Sequence, residues 1–259
     1  MIRNRAIILM YHAVDEPSAP SEIRLCVTPT AFSRQMQWLR QSTFRPVTLD
    51  QVVDCLNRGR PLPADAVAVT FDDGFGDVYE HALPILREYD IPATMFAVAD
   101  RLGRTNDWMD QRGFPTRAIV SAEQLRRLDA AGMSIGSHTL THPRMIELEP
   151  ADAEREARDS KHRLEDVIGK PVQHFAYPYG LYNGAVKKAV RAAGYSSAAS
   201  TRSGFNAANG DLFELRRIDV FGTDSLAQFR RKVEFGANRV THGMLLRYYA
   251  GRIRSRLEG

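Results

Sequence analysis

The chain has 259 residues, of which 44% are hydrophobic and 25% charged, and its formal net charge is +4. A chain of this length buries a sizeable core, and this composition excludes disordered and collagen-like proteins. The arginines and lysines are scattered and not interleaved with aromatic residues, so we expect no nucleic-acid partner. The two cysteines, Cys26 and Cys55, cannot form a disulfide framework and are predicted to be buried free thiols. We predict one domain over residues 1–259.

The first apolar run, residues 7–10, follows a basic start and is followed by Tyr11 and His12. It is too short for a signal peptide, and no other segment approaches the length of a membrane-spanning helix. We therefore predict a first buried strand. Unless a targeting segment has been removed, we also expect a cytoplasmic location.

Strand-like apolar runs alternate with helical patterns along the rest of the chain. The runs are residues 7–10, 67–71, 94–98, 133–137, 172–176, 196–199 and 215–220. About seven β/α units of this kind predict a parallel sheet, either closed as a barrel or left open. In both cases ligands bind at the carboxyl ends of the strands.

Helix start signals separate these runs. They are Thr28 before Pro29, Thr48 with Asp50, and Ser121 with Gln124 in a capping-box pattern. The clearest helix spans residues 152–168, with one apolar side made by Ala153, Ala157, Leu164, Val167 and Ile168. We interpret its dense charged side as a solvated face.

A long irregular segment, residues 100–117, is predicted to form a rim loop on the ligand-binding face. Trp108 lies in its middle. A tryptophan in this position suits stacking on a sugar, and it suits packing the loop down equally well.

The strongest chemical signal is the run over residues 66–71, which ends in Asp72, Asp73 and Gly74. Two adjacent carboxylates at the end of a buried strand repel each other unless a cation stabilises them. His138 and His142 follow another strand-like run, and their spacing lets two imidazoles converge on one ion. Alone, either motif is typical of a turn or of surface histidines. Together they predict a metal site with open coordination for water, hence catalysis.

Three segments resemble the motifs of the polysaccharide deacetylase family, whose members share a NodB-type homology domain. They are Thr-Phe-Asp-Asp-Gly at 70–74, Ser-His-Thr-Leu-Thr-His-Pro at 137–143 and Phe-Ala-Tyr-Pro-Tyr-Gly at 175–180. The resemblance covers most of the chain. It implies a distorted (β/α)7 barrel of the α/β class.

The resemblance also implies roles for individual residues. Asp72 matches the catalytic base, whereas Asp73, His138 and His142 match the metal ligands. In the third motif, one wall of the cleft is formed by Tyr177, Pro178 and Tyr179, and the backbone N–H of Tyr179 helps to hold the oxyanion.

Two departures from the family pattern concern the residues around the base. The arginine common in the third motif is Ala176 here, and no Leu-x-His motif near the C-terminus supplies the usual acid. The chain resembles the poly-N-acetylglucosamine deacetylase branch, in which a histidine after the first strand replaces that acid. This favours His12 over His242 as the acid. Arg216 or Arg217 could orient Asp72, and a surface role is equally compatible with the sequence.

The activity implied by the resemblance is metal-dependent removal of acetyl groups from N-acetylated sugars, with release of acetate. Zinc is the expected ion, and the ligand set also accepts cobalt or nickel. Two alternatives stay open. One is a glycoside hydrolase that uses Glu80 or Asp77 as a second acid. The other is a catalytically silent carbohydrate-binding pseudoenzyme that retains the metal site.

The C-terminal segment, residues 244–257, has apolar residues at helical spacing with arginines around them. This pattern predicts an amphipathic basic helix. Such a helix packs on a barrel more often than it rests on an anionic membrane surface, but both are compatible with the pattern. The second possibility would place the protein on the inner membrane surface, where lipid-linked sugars are handled.

Overall fold

A computed structural model describes residues 5–208 and 210–239. The predicted helix over residues 244–257 and the alternative acid His242 therefore lie outside the described residues. Among the described helices, none combines the length and apolar character that crossing a lipid bilayer requires.

The centre of the fold is a curled sheet whose neighbouring long strands are all parallel. In chain order its strands are β1 (Arg5–Tyr11), β2 (Arg45–Pro46), β3 (Ala66–Phe71), β4 (Ala93–Ala97), β5 (Ser134–Ser137), β6 (His174–Ala176), β7 (Ser197–Ala199), β8 (Asn206–Ala207) and β9 (Ile218–Asp219). The spatial order is β7-β6-β5-β4-β3-β1-β8. All seven predicted runs contribute strand residues at the expected places. The two-residue strands β2 and β8 were not predicted, because so short a segment has no period to detect.

The segment 215–219 joins the two edges of this sheet. Leu215 forms a parallel bridge with Ala199 at the end of β7, and Ile218 of β9 pairs with Leu9 of β1. The predicted strand over residues 215–220 is therefore shorter than expected, since one stretch has to reach from β7 to β1. The result is the distorted barrel implied by the sequence.

Helices surround the sheet, and most of them begin after a residue whose side chain caps the first turn. They are α1 (Pro29–Gln41), α2 (Leu49–Asn57), α3 (Leu83–Glu88), α4 (Ala122–Ala130), α5 (Pro150–Ile168), α6 (Gly184–Ala192) and α7 (Leu226–Phe235). The predicted caps are confirmed: Thr28 accepts a hydrogen bond from the backbone of α1, and Thr48 and Ser121 form capping boxes. Helix α5 begins two residues before its predicted start, because proline is well accommodated in a first turn.

The barrel interior is built mainly from small side chains, among them Ala6, Ala68, Ala176 and Ala199. The amino-terminal end of the barrel is covered by α2, whose buried residues Leu49, Val52 and Val53 belong to the same cluster. Both cysteines are free thiols, with Cys26 buried and Cys55 only partly buried.

Under the barrel, a polar contact ties α2 to the sheet. His174 Nε2 lies 3.0 Å from Asp50 Oδ1, and His174 Nδ1 lies 2.9 Å from Ser197 Oγ. The serine is completely buried, so this row of groups is structural and not a nucleophilic triad. The hydrogen bond between His174 and Asp50 lowers the pKa of the Asp50 carboxyl to about 2.

We expect Asp50→Asn to destabilise the protein above pH 4 and to lose this effect between pH 4 and 2. A carboxylate whose pKa is lowered in the folded state stabilises that state fully only at pH values where the same group is also ionised in the unfolded chain. This stabilisation is lost as the pH falls through the folded-state pKa. Because the Asp50 side chain is 50% exposed, solvent screening limits the effect to about 1 kcal/mol. Urea unfolding from pH 6 to 2.5 measures it, and a difference independent of pH would contradict the assignment.

Candidate metal centre

The two adjacent carboxylates stand at the carboxyl end of β3 and are buried. The N–H of Asp72 still donates to the carbonyl of Tyr11 (3.0 Å), which continues the pairing with β1. Asp73 then turns into the left-handed region (φ 70°), and so does Gly74 (φ 76°). A Cβ on Gly74 would lie 3.3 Å from the backbone of Ala97. A continued strand would point the two side chains to opposite faces of the sheet, whereas this turn keeps both carboxylates at the carboxyl end of the barrel.

The histidine pair lies on the loop after β5, held in shape by hydrogen bonds. Thr139 and His142 both have positive φ, and the N–H of His142 donates to Thr139 Oγ1 (2.9 Å). The carboxylate of Glu156, on α5, accepts hydrogen bonds from the N–H groups of Leu140 and Thr141 and from the Thr141 hydroxyl. Three hydrogen bonds to one buried acid therefore fix the loop that presents both imidazoles.

The ligand atoms of Asp73, His138 and His142 converge on one point. The two Nε2 atoms are 3.2 Å apart, and Asp73 Oδ1 lies 3.5 Å from that of His138 and 3.2 Å from that of His142. Ligands of a tetrahedral zinc ion, at about 2.0–2.2 Å from the metal, lie about 3.3–3.5 Å from one another. The spacing therefore fits one divalent ion and leaves one coordination position open.

The tautomer of His138 also fits a metal ligand. Its Nδ1 donates to the carbonyl of Ala176 (2.8 Å), which leaves the Nε2 lone pair facing Asp73. Burial opposes ionisation of Asp73, but its contacts with the two histidines hold the pKa of this carboxyl well below its usual value. The cluster thus offers two nitrogen lone pairs and a carboxylate.

Asp72 does not join this cluster but pairs with Arg217. The guanidinium of Arg217 makes two hydrogen bonds to the Asp72 carboxylate, at 2.6 and 2.7 Å, and donates a third to the carbonyl of Ser200 (3.0 Å). Arg217 is completely buried. Burial tends to raise the pKa of Asp72, but the charge and hydrogen bonds of Arg217, together with the charges of His138 and His12, outweigh it, and the pKa lies below its ordinary value. Asp72 is therefore held as a carboxylate with fixed orientation.

Of the two arginines predicted as partners of Asp72, the structure selects one. Arg216 is exposed, and its guanidinium donates to the carbonyl of Ser203. Neighbouring residues of an extended segment point to opposite sides, so one of any such pair faces the barrel interior. Arg217 occupies the space above the Phe96 ring, and Ala176 places only a methyl group inside the barrel.

The sequence model of the polysaccharide deacetylase family matches residues 59–198, more than half of the chain. The chain belongs to this family. It is 27% identical over 238 residues to the poly-beta-1,6-N-acetyl-D-glucosamine N-deacetylase of Staphylococcus epidermidis, covering 84% of this chain and 80% of that relative.

Solved structures of deacetylases share the fold. The Streptococcus pyogenes deacetylase PplD, in complex with acetate, aligns with a TM-score of 0.76 and 27% identity over 88% of this chain and 98% of that chain. IcaB from Ammonifex degensii aligns with a TM-score of 0.75 and 26% identity over 90% of this chain and 97% of that chain. The NodB-type barrel is therefore the fold of this family member.

His12 stands directly after β1, at the same end of the barrel as the acidic pair. Its side chain is half-buried, and its charge contributes to the lowered pKa of both Asp72 and Asp73. This places His12 within electrostatic reach of the site. Its role as the acid stays a prediction.

Aromatic rings surround the second histidine. The indole of Trp108 stacks on the imidazole of His142, with centroids 4.9 Å apart, and the ring of Tyr179 meets it edge-on at 4.8 Å. The guanidinium of Arg144 lies 4.9 Å from the centroid of the Tyr179 ring. Trp108 therefore borders the candidate metal cluster from the rim loop and packs on one of its histidines.

Of the three residues predicted to line the cleft, Tyr177 and Pro178 are buried, and their place in the cleft wall stays a prediction. The Tyr177 hydroxyl donates to the carbonyl of Phe213 (3.1 Å), and its N–H donates to that of Ala199. Tyr179, partly exposed and with φ 58°, is the residue of this motif that reaches the site.

The charged side of α5 is not wholly solvated, since Glu156 is 7% exposed. Sequence reasoning missed this residue, although its signal was present. Glu156 lies three residues after Ala153 and four before Ser160, all on the buried stripe of the helix. An acid on an apolar stripe requires hydrogen-bond donors, and the histidine loop supplies them.

Of the two acids considered for glycoside hydrolysis, Asp77 pairs with groups outside the candidate metal site and Glu80 is exposed. Asp77 accepts the N–H of Val14 (2.8 Å) and lies 3.5 Å from the guanidinium of Arg117. Arg117 also pairs with Glu22, so this cluster ties the loop after β1 to the rim loop. The arrangement favours a metal site over a pair of carboxylates flanking a glycosidic bond.

Proposed function

We propose that this protein is a metal-dependent de-N-acetylase that hydrolyses the acetamide of N-acetylglucosamine-type glycans and releases acetate. The observation that carries the proposal is the division of labour in the acidic pair. Asp73 joins two histidines in a metal-binding geometry, whereas Asp72 is held as a carboxylate by Arg217. The names of the Staphylococcus epidermidis relative and of PplD support this choice of chemistry.

Asp73, His138 and His142 would hold the ion, with zinc as the default and cobalt or nickel as alternatives. A divalent ion in such a site lowers the pKa of water at its open position and polarises a carbonyl oxygen. Asp72 takes the proton from the attacking water, because its negative charge and fixed orientation suit a general base. His12 donates a proton to the departing amine. The backbone N–H of Tyr179 donates to the oxyanion that develops on the acetamide.

The pseudoenzyme alternative loses its main argument. It depended on the absence of the usual arginine at Ala176, which would leave the base without a partner. Arg217 reaches the same carboxylate from the segment that closes the barrel. Ion binding by Asp73 and the two histidines does not require a buried bidentate pair at Asp72. The pair suits catalysis instead.

We expect the protein loaded with Zn²⁺, Co²⁺ or Ni²⁺ to release acetate from N-acetylglucosamine oligomers, and a chelated sample to release none. Acetate and new reducing ends are measured together, because a glycoside hydrolase would produce reducing ends without acetate. Metal content of each sample serves as the control. Stoichiometric metal without acetate from any oligomer would favour the pseudoenzyme.

A further inference from the structure

A groove of about 850 Å³ lies at the carboxyl end of β9, where Asp219 lines it. It runs between the loop after β1, the segment after β9 and helix α7. We call it the basic groove and define it by Arg24, Asp219, Phe221, Asp224, Arg231, Lys232 and Arg239, which are among the residues that line it. It contains four cationic side chains and two carboxylates.

The cationic side chains of the basic groove differ in whether a carboxylate pairs with them. Lys232 is buried and its ammonium donates to Asp224 (2.5 Å) and to the carbonyl of Asp219 (3.0 Å). In contrast, Arg24, Arg231 and Arg239 are exposed and have no carboxylate partner within the part of the chain that the structure describes. The groove thus presents three guanidinium groups to solvent, and guanidinium groups bind phosphates and carboxylates well.

Arg24 is partly pre-organised. Its guanidinium lies 4.0 Å from the centroid of the Phe221 ring, which fits a cation–π contact. The backbone below is held as well, since the N–H of Gly222 donates to the carbonyl of Arg24 (3.1 Å). A Cβ on Gly222 would lie 2.0 Å from the carbonyl oxygen of Cys26. The two loops are therefore in close contact at this wall of the groove.

Asp219 places the groove at the same end of the barrel as the site, because β9 runs parallel to β1. This residue lines the groove and pairs with Met10 of β1, two residues before His12. Burial raises the pKa of Asp219, and the charges that oppose the rise are those of His12, Arg217, Lys232 and Arg24. A glycan whose acetamide lies near His12 can therefore place a neighbouring substituent in the basic groove.

We propose that the basic groove binds a negatively charged group, a phosphate or a carboxylate, carried by the glycan close to the acetylated sugar. This inference rests on the proposed function and narrows its substrate class to anionic glycans. A groove lined by one sign of charge next to a reaction centre raises the local concentration of such substrates, and salt weakens this effect.

The test uses three oligomers with one N-acetylglucosamine backbone: neutral, 6-phosphorylated on one unit, or oxidised at C6 of one unit to a carboxylate. Acetate release is measured from 50 to 500 mM salt. We expect kcat/KM for at least one anionic oligomer to exceed that of the neutral one by about tenfold at low salt. The two anionic arms tell phosphate from carboxylate.

The variant Arg24→Gln/Arg231→Gln should remove this advantage by raising KM for the anionic oligomer, with kcat and the neutral oligomer unchanged. Arg230→Gln is the matched control, because Arg230 is an exposed neighbour on α7 that contacts Trp38 and not the groove. No preference for either anionic oligomer, or a preference that survives in the double variant, would overturn the proposal.

A binding measurement separates this proposal from the proposed function. Calorimetry with the Asp72→Asn variant reports the affinity for the same three oligomers without turnover. Tighter binding of an anionic oligomer, lost in the Arg24→Gln/Arg231→Gln background, supports the groove even if acetate is never released. Acetate release combined with equal affinities for all three oligomers supports the deacetylase and refutes the groove.

Discussion

Replacing Arg217 with methionine is expected to lower the free energy of unfolding by about 3–5 kcal/mol, because it leaves the buried carboxylate of Asp72 without its partner. The pair lies entirely inside the barrel, with 0% exposure of the Arg217 side chain and 3% of that of Asp72. Activity should fall by about 100-fold as well, since the base loses its orientation. Chemical unfolding and kcat/KM on an N-acetylglucosamine oligomer measure the two effects.

Arg216→Met is the matched control, one residue away and exposed, and it should change stability by less than about 0.5 kcal/mol. If Arg217→Met does not fold, Arg217→Lys provides a milder test, because lysine keeps the charge but not the bidentate geometry. The double variant Asp72→Asn/Arg217→Met removes both charges and should recover much of the lost stability. Equal effects of the substitutions at 216 and 217 would show that the pair is energetically unimportant.

Asp72→Asn should reduce kcat by about 10²–10⁴-fold while the protein keeps its metal. The amide has nearly the same shape as the carboxylate, but it cannot take a proton from water. Asp73→Asn, one residue further, should lose metal affinity, because Asp73 Oδ1 faces both histidine nitrogens. Metal content by mass spectrometry and initial rates of acetate release distinguish the two variants.

The opposite pattern, metal lost in Asp72→Asn and retained in Asp73→Asn, would reverse the roles assigned to the two carboxylates. Whether excess metal restores activity is a second way to distinguish the two variants. Asp73→Asn should recover in part at high metal concentration, since two ligands remain. Asp72→Asn should not recover, because its defect is in proton transfer.

Several features were predictable because their physical cause is local. Strands such as Ala66–Phe71 are continuous apolar runs, and the helix at Ala122–Ala130 begins at a capping box whose residues are three apart. The two adjacent carboxylates at the end of a buried strand could also be interpreted as a site from the local sequence. Parallel strands bring their carboxyl ends to one edge, so Asp73 and His138 were expected to meet.

Other features depended on contacts between residues that are distant in sequence. Arg217 is 145 residues from Asp72, and only the closing of the barrel by the segment 215–219 decides which of two arginines faces inward. Trp108 was equally compatible with sugar stacking and with packing until its ring was placed on His142. The third motif placed Tyr177 and Tyr179 in one predicted cleft wall, yet the left-handed turn at Tyr179 separates its ring, which contacts His142, from the buried ring of Tyr177.

By itself, the sequence determined the longer strands, the order of the β/α units and the residue types that can bind a metal, since these follow from periodicity and from the chemistry of strand ends. The tertiary structure decided which partner each charged group receives. A buried carboxylate such as Asp72 or Glu156 must be paired, but the chain offers many donors. The packing of distant segments selects Arg217 for Asp72 and the histidine loop for Glu156. This selection orients the carboxylate that we propose as the base and fixes the loop that presents the proposed metal ligands.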